Sequence, residues 1–146
     1  MKTPSSVFLI VAALALSACS ISENVTPVKS SAIESPIEVL CIEKNDKVLM
    51  ASFEPTLGRL IEEQGIEVRY FSNTRPEGCR HIARYVANWR WDFSMNLSYV
   101  RIEVFEDGWS IGVAEYDARW GGLNLGKFGS TEGKLRPLVS KLFVKS

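Results

Sequence analysis

Asp92, Asp117, Arg119 and Lys127 stand in the C-terminal half of a 146-residue chain, near one end of neighbouring predicted strands. Two carboxylates set across a cleft, one protonated and one ionised, can hydrolyse glycosides. Asp92 and Asp117 are therefore the pair through which a small hydrolase of cell-wall glycan or peptide would act. Cross-strand charge pairing among Arg90, Asp92, Glu103, Glu115, Asp117 and Arg119 on a solvated sheet face accounts for the same residues without chemistry, and is the preferred reading. Cys79-Arg80-His81 puts a thiol beside the single histidine. A Cys-His nucleophile needs a free thiolate and a group to orient the imidazole, and nothing nearby in sequence orients His81. Gly121 and Gly126-Lys127 match the opening of a phosphate-binding loop, but Phe128 occupies the position where Ser or Thr holds magnesium. One histidine, with no cysteine or carboxylate at ligand spacing, gives no metal site. The chain thus reads as non-enzymatic and without a cofactor. Trp120, which lies beyond the last predicted strand and beside two glycines, is the aromatic side chain best placed for exposure. With Asp117, Arg119 and Lys127 it forms a candidate interaction surface.

These residues must be held by a small sheet. Residues 37–43 form a short apolar run between Pro36 and the turn-forming Asn45-Asp46, which predicts a strand that carries Cys41 inward. Over 52–64, Phe53, Leu57, Leu60 and Ile61 recur at helical spacing, with Ser52 as the N-cap, Pro55 in the first turn and Gly65 as the stop. Residues 66–71 alternate as a second strand. A β-meander follows over 82–92, 97–106 and 110–118, with Asp107-Gly108 as the signal for its last hairpin. Ala87, Trp89, Trp91 and Phe93 share one parity, so the first meander strand should pack an aromatic face under the helices. Thr131 caps a final helix carrying Leu135, Leu138, Val139 and Leu142, which Pro137 should kink or delay. The prediction is an α+β two-layer sandwich, with a mostly antiparallel sheet of about five strands and two helices on one face, in the order β-α-β-β-β-β-α.

The N-terminus specifies where this domain goes. Lys2, an apolar run over 7–16 and the small residues Ser17-Ala18 have the layout of an export signal. Leu16-Ser17-Ala18-Cys19 resembles the lipobox of bacterial lipoproteins, in which the cysteine thiol receives a diacylglycerol, the chain is cut before it and the new amine is acylated. That resemblance implies a signal peptide over 1–18 and a membrane partner bound through acyl chains on Cys19. Ser20, rather than Asp, implies sorting to the outer membrane with the domain facing the periplasm. The run is too short to span a bilayer, and two or three acyl chains hold far more firmly than one. Residues 20–36 are Ser, Thr, Val, Pro and charge without period, which predicts a flexible tether over 19–36 and one periplasmic domain over 37–146. Two thiols remain, Cys41 and Cys79, and in an oxidising compartment they pair most simply as a disulfide. Cutting before Cys19 leaves one more acidic than basic side chain. A nucleic-acid partner, which demands clustered cations, is excluded.

Asn88-Trp89-Arg90-Trp91-Asp92, Tyr99, Glu115-Tyr116-Asp117-Ala118-Arg119, Gly121-Gly122 and Gly126-Lys127-Phe128 together resemble the signature of the Sbal-type family of small proteobacterial lipoproteins. The match spans essentially the whole mature domain. It implies anchor, size and fold and carries no reaction or ligand with it. Pro55 and Pro137 depart from the pattern and bear on the helix boundaries. The expectation is a non-catalytic binding or scaffolding module for an envelope protein partner. Its rivals are the Asp92/Asp117 hydrolase and a carrier of lipid or another apolar ligand between sheet and helices.

Overall fold

The computed structural model describes residues 20–29 and 36–144. The expected export signal, Cys19 and the middle of the expected tether lie outside them. Among the described residues no helix is long and apolar enough to cross a membrane.

The fold is α+β, with a six-stranded mixed sheet covered by two helices. In chain order the elements are β1 (Ser22–Thr26), β2 (Val39–Glu43), α1 (Phe53–Glu62), β3 (Glu67–Phe71), β4 (His81–Asp92), β5 (Ser94–Glu106), β6 (Trp109–Asp117) and α2 (Thr131–Leu142). A 3-10 turn at Leu125–Phe128 precedes α2. Across the sheet the strands run β1-β6-β5-β4-β2-β3. β2 lies parallel to β3, as the β2-α1-β3 crossover requires, and also to β4, and the remaining pairs are antiparallel.

The expectation of about five strands is one short, and the sixth lies in what reads as tether. Ser22–Thr26 pairs antiparallel with β6, Ser22 opposite Asp117 and Thr26 opposite Val113. Only Val25 of this strand tucks into the core, and pairing to the free edge of β6 supplies the order its own side chains do not. The chain stays attached after β1. The amide of Val28 donates to the carbonyl of Leu142 at 2.9 Å and that of Lys29 to the carbonyl of Ile111 at 3.1 Å. Gly112 makes this approach possible, since a Cβ there would stand 3.0 Å from the backbone of Val28. The flexible-tether reading therefore fails for residues 22–29.

The predicted strands and helices are otherwise in place, with shifted ends. α1 opens after Ser52 as expected, but the Ser52 hydroxyl makes no capping bond. α2 is capped by Ser130 rather than Thr131, the Ser130 hydroxyl accepting from the amide of Gly133 at 3.0 Å. Pro137 lies inside a helix that runs on to Leu142, held by a buried face of Leu135, Leu138, Val139 and Leu142. Asp107 and Gly108 both take positive φ, 47° and 87°, and join β5 to β6 in the two-residue turn that right-twisted strands favour.

One core lies between sheet and helices. Leu40, Ile42, Phe53, Leu57, Ile61, Val100, Ile102, Leu135, Leu138 and Leu142 are fully buried in it. A smaller cluster on the other side of the sheet surrounds the disulfide between Cys41 and Cys79, whose Cα atoms are 5.8 Å apart, with Phe71 against it.

Candidate functional site

β4 and β5 form a long hairpin of 12 and 13 residues, whose turn lies beyond the Asp117 end of β6. A bulge sits part-way along: Asn88 pairs with Tyr99 but Trp89 with Leu97, leaving Ser98 extra. The Ser98 hydroxyl donates to the carbonyl of Asn88 at 3.1 Å, and the Ser98 carbonyl accepts from the amide of Ala118 at 2.8 Å. Past the bulge, Arg90, Asp92 and Asn96 line one side of a cleft of about 330 Å³. Arg119, Trp120, Gly122 and Lys127 line the other. Of the four residues of the candidate interaction surface, Arg119, Trp120 and Lys127 thus border the cleft. Asp117 stands behind it, bound to Arg119.

The polar side chains here are engaged with one another. Lys127 is buried, and its ammonium donates to the carboxylate of Asp92 and to the carbonyl of Gly122. Asp117 accepts from the amide of Arg119 at 2.9 Å and from its guanidinium at 3.0 and 2.6 Å. These bonds hold the Asp117 carboxyl below the usual carboxylate range. The same guanidinium lies 4.3 Å from the centre of the Tyr99 ring. Arg90 donates to the carbonyl of Arg119 at 3.0 Å and has no carboxylate partner among the described residues. Farther along the open face, Glu115 accepts from Tyr99 at 3.0 Å and Arg101 at 3.2 Å, and Arg101 reaches Glu103 at 3.3 Å. The charge pairing on this face is not the expected one: Asp117 takes Arg119 two residues on, Asp92 takes Lys127 from the loop, and Glu115 pairs across strands with Arg101, outside the expected set.

Asp92 and Asp117 therefore do not share a cleft as an acid-base pair. Each faces its own cation, Asp92 the ammonium of Lys127 and Asp117 the guanidinium of Arg119, which holds the Asp117 carboxyl low where a general acid would need it raised. Lys127, which the phosphate-loop pattern would aim at a nucleotide, is turned onto Asp92. Cys79 is in a disulfide, and His81 sits with its Nε2 3.1 Å from the buried carboxylate of Glu106, so no thiolate is available to it. A second cleft, of about 250 Å³, lies where Arg75, Arg80 and Arg84 gather. Arg84 is paired there with Glu43 at 2.6 Å and Arg80 with Glu106 at 2.9 Å.

The aromatic face of β4 divides in two. Trp89 packs edge-on to Phe53, 5.5 Å between ring centres, as the parity argument requires. Trp91 and Phe93 do not pack under the helices, because the hairpin outruns them: they are 71 % and 89 % exposed, and Met95 opposite is 54 % exposed. The adjoining 120–128 loop adds Trp120, Leu123 and Leu125, at 74 %, 90 % and 78 %. Sequence reasoning missed Trp91, Phe93, Leu123 and Leu125 as exposed residues. Phe93 is held at φ 59°, a left-handed backbone that a bulky side chain adopts at a cost.

Beneath the loop lies a buried lysine. Lys134 of α2 donates to the carbonyls of Leu97, at 2.9 Å, and Lys127, and its nitrogen stands 5.2 Å from the centre of the Tyr116 ring. It meets no carboxylate among the described residues, and burial lowers its pKa to about 8.

No family model matches the chain, and no curated protein sequence does. Among solved structures, the fold is similar to that of the PelC dodecamer from Paraburkholderia phytofirmans, with a TM-score of 0.54 and 13 % identity, over 87 % of this chain and all of that one. A point variant of the same dodecamer gives 0.52 at 13 % identity, over 84 % and 94 % of the two chains. A PDZ domain protein from Parabacteroides distasonis gives 0.47 at 12 % identity, over 99 % of this chain and 41 % of that one. At such identities the likeness is one of fold alone: a mixed sheet with two helices, shared with a protein solved as a twelve-membered assembly.

Proposed function

We propose that the protein is an outer-membrane lipoprotein, anchored through acyl chains on Cys19. Its periplasmic domain is a non-catalytic binding or scaffolding module that docks through the Trp120 end of the sheet. One contrast carries this reading. Around the cleft the carboxylates are neutralised by Arg119 and Lys127, while six large apolar side chains beside them stand in solvent. Single exposed hydrophobics are ordinary, but a group at one end of a small domain is what docking surfaces look like. The rival hydrolase would need Asp92 or Asp117 protonated and the other free, and the ion pairs work against both. The lipid-carrier alternative would need room between sheet and helices, where the side chains are fully buried against one another.

In-cell photo-crosslinking from position 120, with position 109 at the far end of β6 as control, tests the docking end. Adducts enriched at 120 support it, and equal yields at the two positions overturn it. Metabolic palmitate labelling tests the anchor, since the wild type should incorporate label and Cys19→Ser none. Scaffolding by self-association is a second reading, favoured by the two outer strands β1 and β3, each of which leaves one edge of the sheet unpaired among the described residues. PelC, with a similar fold, was solved as a dodecamer. Sedimentation of the detergent-solubilised protein separates monomer from assembly.

A further inference from the structure

We propose that the exposed apolar end of the sheet is a membrane-interface face: Trp91, Phe93 and Met95 on the β4–β5 hairpin and Trp120, Leu123 and Leu125 on the neighbouring loop seat the domain among the lipid headgroups. The inference rests on the lipid anchor at Cys19 and names the partner of the docking end as the bilayer to which that anchor belongs.

The path of the chain carries the argument. β1 begins at Ser22, antiparallel to β6 and opposite Asp117, so the N-terminus enters the domain at the end where the 120–128 loop departs. Ile21 lies under that loop, its Cγ1 3.4 Å from where a Cβ of Gly121 would stand and its Cδ1 3.5 Å from that of Gly126. Cys19 is two residues earlier, and two residues of fully extended chain cover at most about 7 Å. An acylated Cys19 therefore brings the bilayer surface to within reach of the loop side chains, and β1 leaves no slack by which the domain could stand away. The side chains presented there suit that position. Tryptophan and phenylalanine favour the headgroup region, where one part of the ring is dry and the other wet. Arg90, at the rim without a carboxylate partner among the described residues, is placed to meet lipid phosphate. Phe93 combines near-complete exposure with an unfavourable backbone, a combination that neither folding nor solubility rewards. Trp109, also exposed at 79 %, marks the opposite end, a nine-residue strand or roughly 26 Å away, and should stay in water.

The test uses the full mature lipoprotein purified from membranes and reconstituted into phosphatidylethanolamine–phosphatidylglycerol vesicles with brominated acyl chains. Variants retaining only Trp120 or only Trp109, the other tryptophans replaced by Phe, are compared by fluorescence. Trp120 should be quenched about twofold or more and Trp109 hardly at all. Equal quenching overturns the proposal. Hydroxyl-radical footprinting of the unaltered protein in vesicles and in detergent-free intact envelopes gives the same readout without substitutions. Protection of Trp91, Met95 and Trp120 in vesicles, with Trp109 reactive, supports it. Protection in intact envelopes but not in vesicles overturns it and assigns the face to a protein. Mass spectrometry of the same sample separates the two readings: missing acyl chains refute the anchor, whereas acylated protein with unquenched Trp120 refutes the membrane face.

Discussion

The buried ammonium of Lys134 should make the domain more stable in mild alkali than at neutral pH. Its pKa is lowered to about 8 by burial, against about 10.4 for an exposed lysine. Below pH 8 both folded and unfolded chains carry the proton, and the folded state bears the cost of an ammonium that only two carbonyls and the Tyr116 ring solvate. As pH rises past 8 the folded protein releases the proton first, the unfolded chain binds more protons than the folded one, and stability increases. Integrated from pH 7 to 9.5, the gain is about 2 kcal/mol, a sizeable part of the ~5 to 15 kcal/mol of a domain this size. The tyrosines set the upper limit of the window. Burial raises Tyr70, Tyr99 and Tyr116, and Tyr85 to about 12, so each withdraws stability once pH passes the unfolded tyrosine value near 10. Urea unfolding followed by tryptophan emission should therefore give a midpoint that climbs between pH 7 and 9.5 and turns over above it. Lys134→Met should erase the climb. At pH 7 it should leave stability within about 1 kcal/mol of wild type, because the relief of a buried charge is offset by two carbonyls left without a donor. A wild-type midpoint that is flat or falling from pH 7 to 9.5, or a climb that persists in Lys134→Met, would refute the reasoning.

Three further outcomes follow from the geometry. Replacing both Cys41 and Cys79 with Ser opens a loop of 38 residues and should lower stability by about 4 kcal/mol on the chain-entropy account, read from urea midpoints. Gly112→Val places methyl groups against the backbone of Val28. Amide hydrogen exchange over 22–29 should then rise by at least about tenfold while β4 and β5 stay protected. Phe93→Gly relieves a left-handed backbone and should raise the thermal midpoint, by an amount equivalent to about 1 kcal/mol, with no loss of secondary structure by circular dichroism.

Five of the six strands and both helices were legible because each carries its own periodic apolar face: Leu40 and Ile42 in β2, Phe53, Leu57, Leu60 and Ile61 in α1, alternate residues through β4 to β6. β1 was not, since Ser-Glu-Asn-Val-Thr offers one partly buried side chain and takes its order from the edge of β6. Helix starts were off by a residue where two adjacent hydroxyls compete for the cap, as Ser130 and Thr131 do. At the site, the gathering of Asp92, Arg119 and Lys127 was foreseeable from strand ends, and so was the exposure of Trp120. The pairing of each carboxylate with its own cation depends on a loop conformation that no spacing encodes. Trp91 and Phe93 share the parity of half-buried Trp89. What separates them is where the helices stop covering the hairpin, a matter of relative lengths in space that a two-residue period leaves out.

The place of β1 also constrains how the molecule is born. Its partner β6 is the last strand of the sheet in chain order, and the amide of Val28 is satisfied by Leu142 at the end of α2, so residues 22–29 wait for nearly the whole chain before they can be seated. Closing contacts of such long sequence separation costs loop entropy early and returns it late. Until then Ser22–Thr26 has no sheet edge to join; on the lipoprotein reading proposed above, that is the open form in which modifying and cutting enzymes would grip the neighbouring Cys19. Completion of the fold draws that strand onto the sheet edge, so on that reading lipidation at Cys19 would precede the seating of β1, an order set by topology.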